Sequence, residues 1–104
     1  MNQFDVFANP FPRSRERQPF LVALQSDFLT HNLDTMAVAP LESAASGTFA
    51  DRLNPPVTIE GKDFVLITQE IVTVRKSVLG APRGSIATAR DAIIRALDLI
   101  FTGF

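Results

Sequence analysis

The sequence predicts an α+β fold: a small barrel-like, mostly antiparallel β-sheet with one C-terminal α-helix. Short apolar segments of strand length fill most of the chain, and proline, glycine or polar residues separate them. After Thr88 the apolar repeat lengthens from two residues to about 3.6 residues. No strand–helix–strand pattern is present, so an antiparallel sheet is expected. A sheet this small must hide its edges by closure or by pairing with a second subunit.

The first two predicted strands are short. Residues 4–7 predict a short strand that ends before Pro10 and Pro12, because proline has no N–H to donate to a neighbouring strand. Residues 20–24 are continuously apolar, which is typical of a strand buried on both faces. Residues 25–27 are polar and are expected to turn the chain away from the sheet.

The middle of the chain is less regular. Residues 36–41 predict a third strand, which Pro40 should restrict to an edge or an end of the sheet. Residues 42–54 show no clear repeat and are expected to form a loop or a frayed helical turn.

A hairpin is the clearest signal of the second half. Residues 57–59 and 64–68 are its two strands, joined by a turn at 60–63 in which Gly61 supplies the positive φ of a tight turn. The β-branched residues between 71 and 79 predict one more strand.

The last segment predicts an amphipathic helix. Thr88 and Asp91 have the spacing of a capping box, with Asp in the place of Glu or Gln. The helix should end at Gly103. Its apolar face is predicted to contain Ile93, Ile94, Leu97, Ile100, Phe101 and Phe104.

Composition narrows the function classes. With 104 residues, 46% of them hydrophobic and 20% charged, the chain is expected to be one folded domain over 1–104. The absence of cysteine excludes disulfides and thiolate metal sites. A net charge of −1 argues against nucleic acid as the main partner. Neither a signal peptide nor a membrane-spanning run is recognisable, so we expect a cytoplasmic protein without a membrane partner.

Residues for catalysis are scarce. His31 is the only histidine and is expected to lie in a solvated loop. No dinucleotide, phosphate-loop or serine-hydrolase motif is present. Arg13, Arg15 and Arg17 form the only basic cluster, which is either a solvated loop or, in a nuclease, a set of donors to phosphoryl oxygens. We therefore expect no metal and no cofactor, and a protein that binds other proteins rather than an enzyme.

Four stretches, taken in order, carry a resemblance to a known family. They are Gln3-Phe4 with Val6, Leu24-Gln25-Ser26-Asp27, Ser77-Val78-Leu79-Gly80, and Ala96 to Phe104. On these residues the chain resembles the CcdB-type toxins of bacterial toxin–antitoxin pairs, which have a CcdB/MazF-like fold. The resemblance covers nearly the whole length and is weakest between Ala44 and Leu53.

The resemblance implies a homodimer that poisons DNA gyrase by binding its A subunit and trapping the cleaved-DNA complex. It implies a role in plasmid maintenance as well. It also implies a cognate antitoxin whose disordered segment wraps the toxin and releases gyrase. No direct contact with nucleic acid is implied. The gyrase-facing residues would be Phe28, Leu29, Asp98, Phe101, Thr102, Gly103 and Phe104. The antitoxin-facing residues would be Arg13, Arg15 and Arg17.

This chain departs from the family pattern at its C-terminal end and in its first loop. Thr102 stands where the family has a tryptophan, and Asp98 stands where it has an asparagine. The tryptophan is expected to stack on an arginine of gyrase, a contact that threonine cannot reproduce. The first loop is longer than in the family and contains additional prolines, and its arginines suit an acidic antitoxin segment.

Two other functions remain open at this point. The chain could be an endoribonuclease of the MazF kind, in which the loop arginines act on phosphate, because one fold can host both activities. It could also be a non-toxic homologue that retains only dimerisation and antitoxin binding, which the threonine at position 102 favours.

Overall fold

The computed structural model of the protein describes residues 1–103, which form a nearly closed antiparallel barrel with a C-terminal helix. The strands are β1 (Asp5–Ala8), β2 (Phe20–Ala23), β3 (Thr35–Ser43), β4 (Pro56–Ile59), β5 (Lys62–Leu66), β6 (Val72–Arg75) and β7 (Gly84–Ser85). The helices are α1 (Asp27–Asn32) and α2 (Arg90–Thr102). The predicted α+β class and barrel-like sheet are confirmed. Neither helix within residues 1–103 is long and apolar enough to cross a membrane.

Strand β3 is the centre of the sheet. The strand order is β4-β5-β3-β2-β1-β7, and β6 also pairs with β3. The pairing with β6 ends at Val38 and the pairing with β5 begins at Leu41. Pro40 lies between them, so its missing N–H falls where β3 changes partner. The prediction that Pro40 belongs at an edge or an end is therefore wrong, and its carbonyl still accepts a hydrogen bond from Ile67 N at 2.9 Å.

The centre of the sheet is buried on both faces, whereas most of β6 and alternate residues of β4 are exposed. One face packs against α2 through Ile93, which is 0% exposed, and forms the larger core. The opposite face forms a second apolar cluster that contains Phe7, Leu21 and Met36. All four residues of β2 are buried, which confirms the prediction for that segment.

The β4–β5 hairpin turns in two residues. Glu60 has φ +52° and Gly61 has φ +75°, the backbone of a type I′ turn. The glycine was placed correctly by the sequence, but the turn is shorter than predicted because Lys62 already belongs to β5.

The predicted strand over residues 71–79 is only partly correct. Strand β6 ends at Arg75, and a single 3₁₀ turn follows at Lys76–Val78. The backbone N–H of Lys76 donates to the carbonyl oxygen of Asp34 at 2.8 Å. The chain then bends away, although Val78 in this turn is β-branched.

Two features of the predicted C-terminal helix are wrong. Ala87–Ala89 form a 3₁₀ turn and α2 begins at Arg90 without a side-chain cap, so Thr88 and Asp91 do not make a capping box. Phe101 is 71% exposed and does not belong to the buried face. The predicted end is correct: Gly103 has φ +82° and its N–H donates to the Leu99 oxygen at 3.1 Å.

Residues 25–32 differ from the predicted turn and loop. Asp27–Asn32 form helix α1, and His31 lies in its last turn as an exposed residue. Of the segment 42–54, Glu42 and Ser43 extend β3, and the remainder is irregular as expected.

Candidate functional site

Helix α1 presents two apolar side chains to solvent. The Ser26 Oγ caps it by accepting a hydrogen bond from the N–H of Leu29 at 3.4 Å. Asp27 follows in the first turn, where a carboxylate complements the helix dipole. Thr30 is the buried residue of this helix. The other side is open, because Phe28 is 76% exposed and Leu29 is 44% exposed.

Lys76 holds the C-terminal end of α1. Its Nζ donates hydrogen bonds to the carbonyl oxygens of Thr30 at 2.6 Å and Leu33 at 2.9 Å. A helix this short is marginal by itself in water, because few of its backbone bonds are formed within the helix. The lysine therefore helps to fix the place of α1 on the barrel.

Replacing Lys76 by methionine should loosen α1. The variant keeps an aliphatic stem but leaves two carbonyl oxygens without their donor, at a cost of about 1–2 kcal/mol. We expect the amide hydrogens of Thr30 and Leu33 to exchange roughly tenfold faster or more in native-state hydrogen exchange. Lys62→Met is the matched control, because Lys62 is an exposed residue of β5. Equal exchange in both variants would show that Lys76 does not support α1.

The end of α2 carries the second group of predicted gyrase-facing residues. Phe101, Asp98, Thr102 and Gly103 are all exposed. The Thr102 Oγ1 donates a hydrogen bond to the Asp98 carbonyl oxygen at 2.7 Å, so this side chain is folded back onto the helix. Phe104 lies outside the residues that the structure describes.

The segment between β1 and β2, residues 9–19, is here named the arginine loop. Asn9 is only 4% exposed and organises this loop. Its Nδ2 donates to Ser14 Oγ at 3.0 Å and to the Gln18 carbonyl oxygen at 2.8 Å, and its Oδ1 accepts from the N–H of Phe11 at 2.9 Å. The arginine loop is therefore held in one shape by the side chain of its first residue.

Gln18 and Arg17 join the arginine loop to a buried carboxylate. The Gln18 Nε2 donates to Glu42 Oε2 at 2.8 Å and to Glu70 Oε1 at 3.2 Å. The Arg17 Nε donates to Glu42 Oε1 at 3.3 Å; the glutamate side chain is 4% exposed and the arginine side chain is 76% exposed. Water screens the exposed guanidinium, so this pair adds little stability. The glutamine amide is the closer anchor of the loop.

The structure arranges the predicted residues in three separate places. Phe28 and Leu29 lie on α1, the residues from Asp98 to Gly103 lie on α2, and the arginines lie on the arginine loop. Within residues 1–103, no hydrogen bond or salt bridge connects any two of these places. In the same part of the chain, no group of three or more His, Cys, Asp or Glu side chains could hold a metal ion.

Sequence reasoning missed several residues that organise these surfaces. Ser26 and Asp27 form a recognisable helix-start signal, whereas the prediction for residues 25–27 is a turn. Gln18 and Lys76 carried no usable signal, because each acts on a partner that only the folded chain brings close. Asn9 differs, because its Oδ1 accepts from Phe11 N two residues later, an Asx-type turn that an asparagine before proline could have indicated.

Comparisons with known proteins agree with this architecture. A family model described as "CcdB protein" matches residues 3–103. The crystal structure of an Mtb toxin has a TM-score of 0.66 and 20% sequence identity, over 81% of this chain and 92% of that chain. A search of curated protein sequences returned no significant match. The family match spans nearly all of the described residues, and the chain therefore belongs to the CcdB family of toxin–antitoxin toxins.

Proposed function

We propose that this protein is a homodimeric toxin that inhibits DNA gyrase by binding its A subunit and trapping the cleaved-DNA complex, and that a cognate antitoxin neutralises it. The observation that carries the proposal is membership of the CcdB family together with aromatic side chains left exposed on both helices. The protein acts through binding, and its own residues perform no chemical step.

The exposed aromatic residues support a protein-binding surface. Phe28 and Phe101 are 76% and 71% exposed, although a phenylalanine in a folded domain is usually buried. Aromatic residues are enriched at protein interfaces, where a few side chains carry most of the binding energy. The two residues lie on elements whose ends are separately fixed, by Lys76 at α1 and by Gly103 at α2.

The arginine loop is the surface we propose for the antitoxin. Arg13 and Arg15 are exposed and make no side-chain hydrogen bond or salt bridge within residues 1–103. Guanidinium groups bind carboxylates through paired hydrogen bonds, and complementary charge speeds association. An acidic antitoxin segment fits this chemistry.

A gyrase cleavage assay tests the proposal. Purified protein is incubated with gyrase, ATP and supercoiled plasmid, and the DNA is denatured with detergent and protease. We expect linear DNA to accumulate with increasing protein and to disappear when the A subunit carries a toxin-resistant surface. Growth arrest in cells whose DNA stays intact would contradict the gyrase part. An RNA substrate incubated in parallel tests the ribonuclease alternative, which requires RNA cleavage that depends on Arg13, Arg15 or Arg17.

Thr102→Trp should strengthen gyrase poisoning. The family has tryptophan at this position, and an indole over a cation contributes about 1–2 kcal/mol when the pair is desolvated. We expect the concentration of protein needed for half-maximal DNA cleavage to fall roughly tenfold. Thr102→Val is the matched control, because it removes the hydroxyl that bonds to the Asp98 oxygen without adding an aromatic face. Equal potency of the tryptophan variant and the unmodified protein would show that position 102 does not face gyrase.

A further inference from the structure

An apolar groove lies between the arginine loop and β6. Its volume is about 320 Å³, at the lower end of the range for ligand pockets. Leu21 and Pro40 are neighbours across β2 and β3 and form part of its lining. Phe11 and Val72 also line it and are 41% and 51% exposed. The polar lining residues are Asn9, Ser14, Gln18 and Glu70.

Charge is distributed unevenly around this groove. Ser14 lies between Arg13 and Arg15, which are exposed and have no ionic partner within residues 1–103. Glu70 lines the groove as well, and its carboxylate accepts a hydrogen bond from Gln18 Nε2 at 3.2 Å. The groove therefore combines an apolar interior with two free cations beside Ser14 and one carboxylate in its lining.

The shape of the groove is fixed before a partner arrives. The Asn9 side chain bonds to Ser14, to Gln18 and to the backbone of Phe11, which are three of the lining residues. A preformed site binds more tightly than a flexible one, because less conformational entropy is lost on binding.

We infer that this groove receives one large apolar side chain, such as leucine, from an acidic segment of the antitoxin, whose carboxylates lie toward Arg13 and Arg15. The inference rests on the proposed toxin function, and it names the part of the toxin surface that holds the antitoxin. The apolar anchor buries Phe11 and Val72 from water. The carboxylates lie away from Glu70 and pair with the two free arginines. The groove therefore selects for the apolar side chain, and the arginine loop selects for the negative charge beside it.

Fluorescence anisotropy with a labelled peptide tests the inference on the full-length protein. The probe is a short peptide in which glutamates flank a central leucine, and its partner probe has alanine in place of leucine. We expect the leucine probe to bind about tenfold more tightly, since burying the additional carbons is favourable. In Phe11→Ala this preference should fall to about twofold or less.

Matched variants separate the contributions. Val72→Thr replaces a groove residue by one of similar shape and should weaken the leucine probe several-fold, whereas Val78→Thr changes an exposed valine that does not line the groove. Arg13→Gln with Arg15→Gln should weaken both probes equally and reduce their dependence on salt.

The outcomes distinguish the two levels of the proposal. A leucine preference that persists in Phe11→Ala, in a protein with unchanged circular dichroism, overturns the groove as the anchor site. Failure of both glutamate probes to bind overturns an acidic partner at the arginine loop. Failure of the gyrase cleavage assay instead removes the target while leaving the groove intact, so the two failures are separable.

Discussion

Phe101→Ala is expected to weaken binding to the gyrase A subunit by about 2–4 kcal/mol, which is roughly 30- to 1000-fold, because truncating a central aromatic side chain at an interface has effects of this size. Phe101 is 71% exposed, so its removal should leave the stability of the free protein almost unchanged. Isothermal titration with the purified A subunit measures the affinity. Urea unfolding measures stability on the same sample.

Val78→Ala is the control for this prediction. Val78 is 40% exposed and lies in the turn after β6, outside the proposed surfaces. Its replacement should change neither gyrase affinity nor DNA cleavage. If Phe101→Ala binds gyrase as tightly as the control while it stays folded and keeps the same oligomeric state by light scattering, the end of α2 is not the proposed gyrase-facing surface.

Ile93→Ala is expected to destabilise the protein by about 2–5 kcal/mol, the range for emptying the site of a fully buried aliphatic side chain. Ile93 is 0% exposed and belongs to the core cluster between α2 and the sheet, with Val6, Val22 and Leu66. For a domain of this size we expect the Tm to fall by about 10–30 °C. Calorimetry and urea unfolding measure the loss, at one protein concentration because the proposed dimer would make the Tm depend on concentration.

Ile94→Ala supplies the comparison on the same helix. Ile94 is only half-buried, so its truncation leaves a smaller void and should cost less than half as much. A loss below about 1 kcal/mol for Ile93→Ala would mean that α2 does not pack on the sheet through this residue.

The sequence predicted correctly those elements that depend only on residues close together in the chain. The hairpin turn needs a positive φ that glycine adopts easily, and Gly61 marks it. Gly103 ends α2 for the same reason. The continuous apolar segment at β2 shows burial on both faces without reference to any distant residue.

Long-range structure explains what the sequence did not predict. A proline in a central strand contradicts the usual preference, and Pro40 is tolerated only because β3 changes partner there. Helix α1 is too short to show a helical repeat. The candidate surfaces follow from the resemblance to a family, not from the spacing of residues. The contact of Gln18 with Glu42 joins residues 24 positions apart, so the sequence pattern does not reveal it.

The division of β3 between β6 and β5 also determines when the nascent chain can fold. Strand β3 cannot complete its pairings until residues up to Arg75, the end of β6, have emerged from the ribosome. Helix α2, which covers the core, is synthesised later still. Strand pairing between segments that are distant in sequence is slow, and apolar strands are prone to aggregate as long as they remain unpaired. We expect the growing chain to depend on chaperones during translation, and to form the proposed binding surfaces only after α2 has emerged.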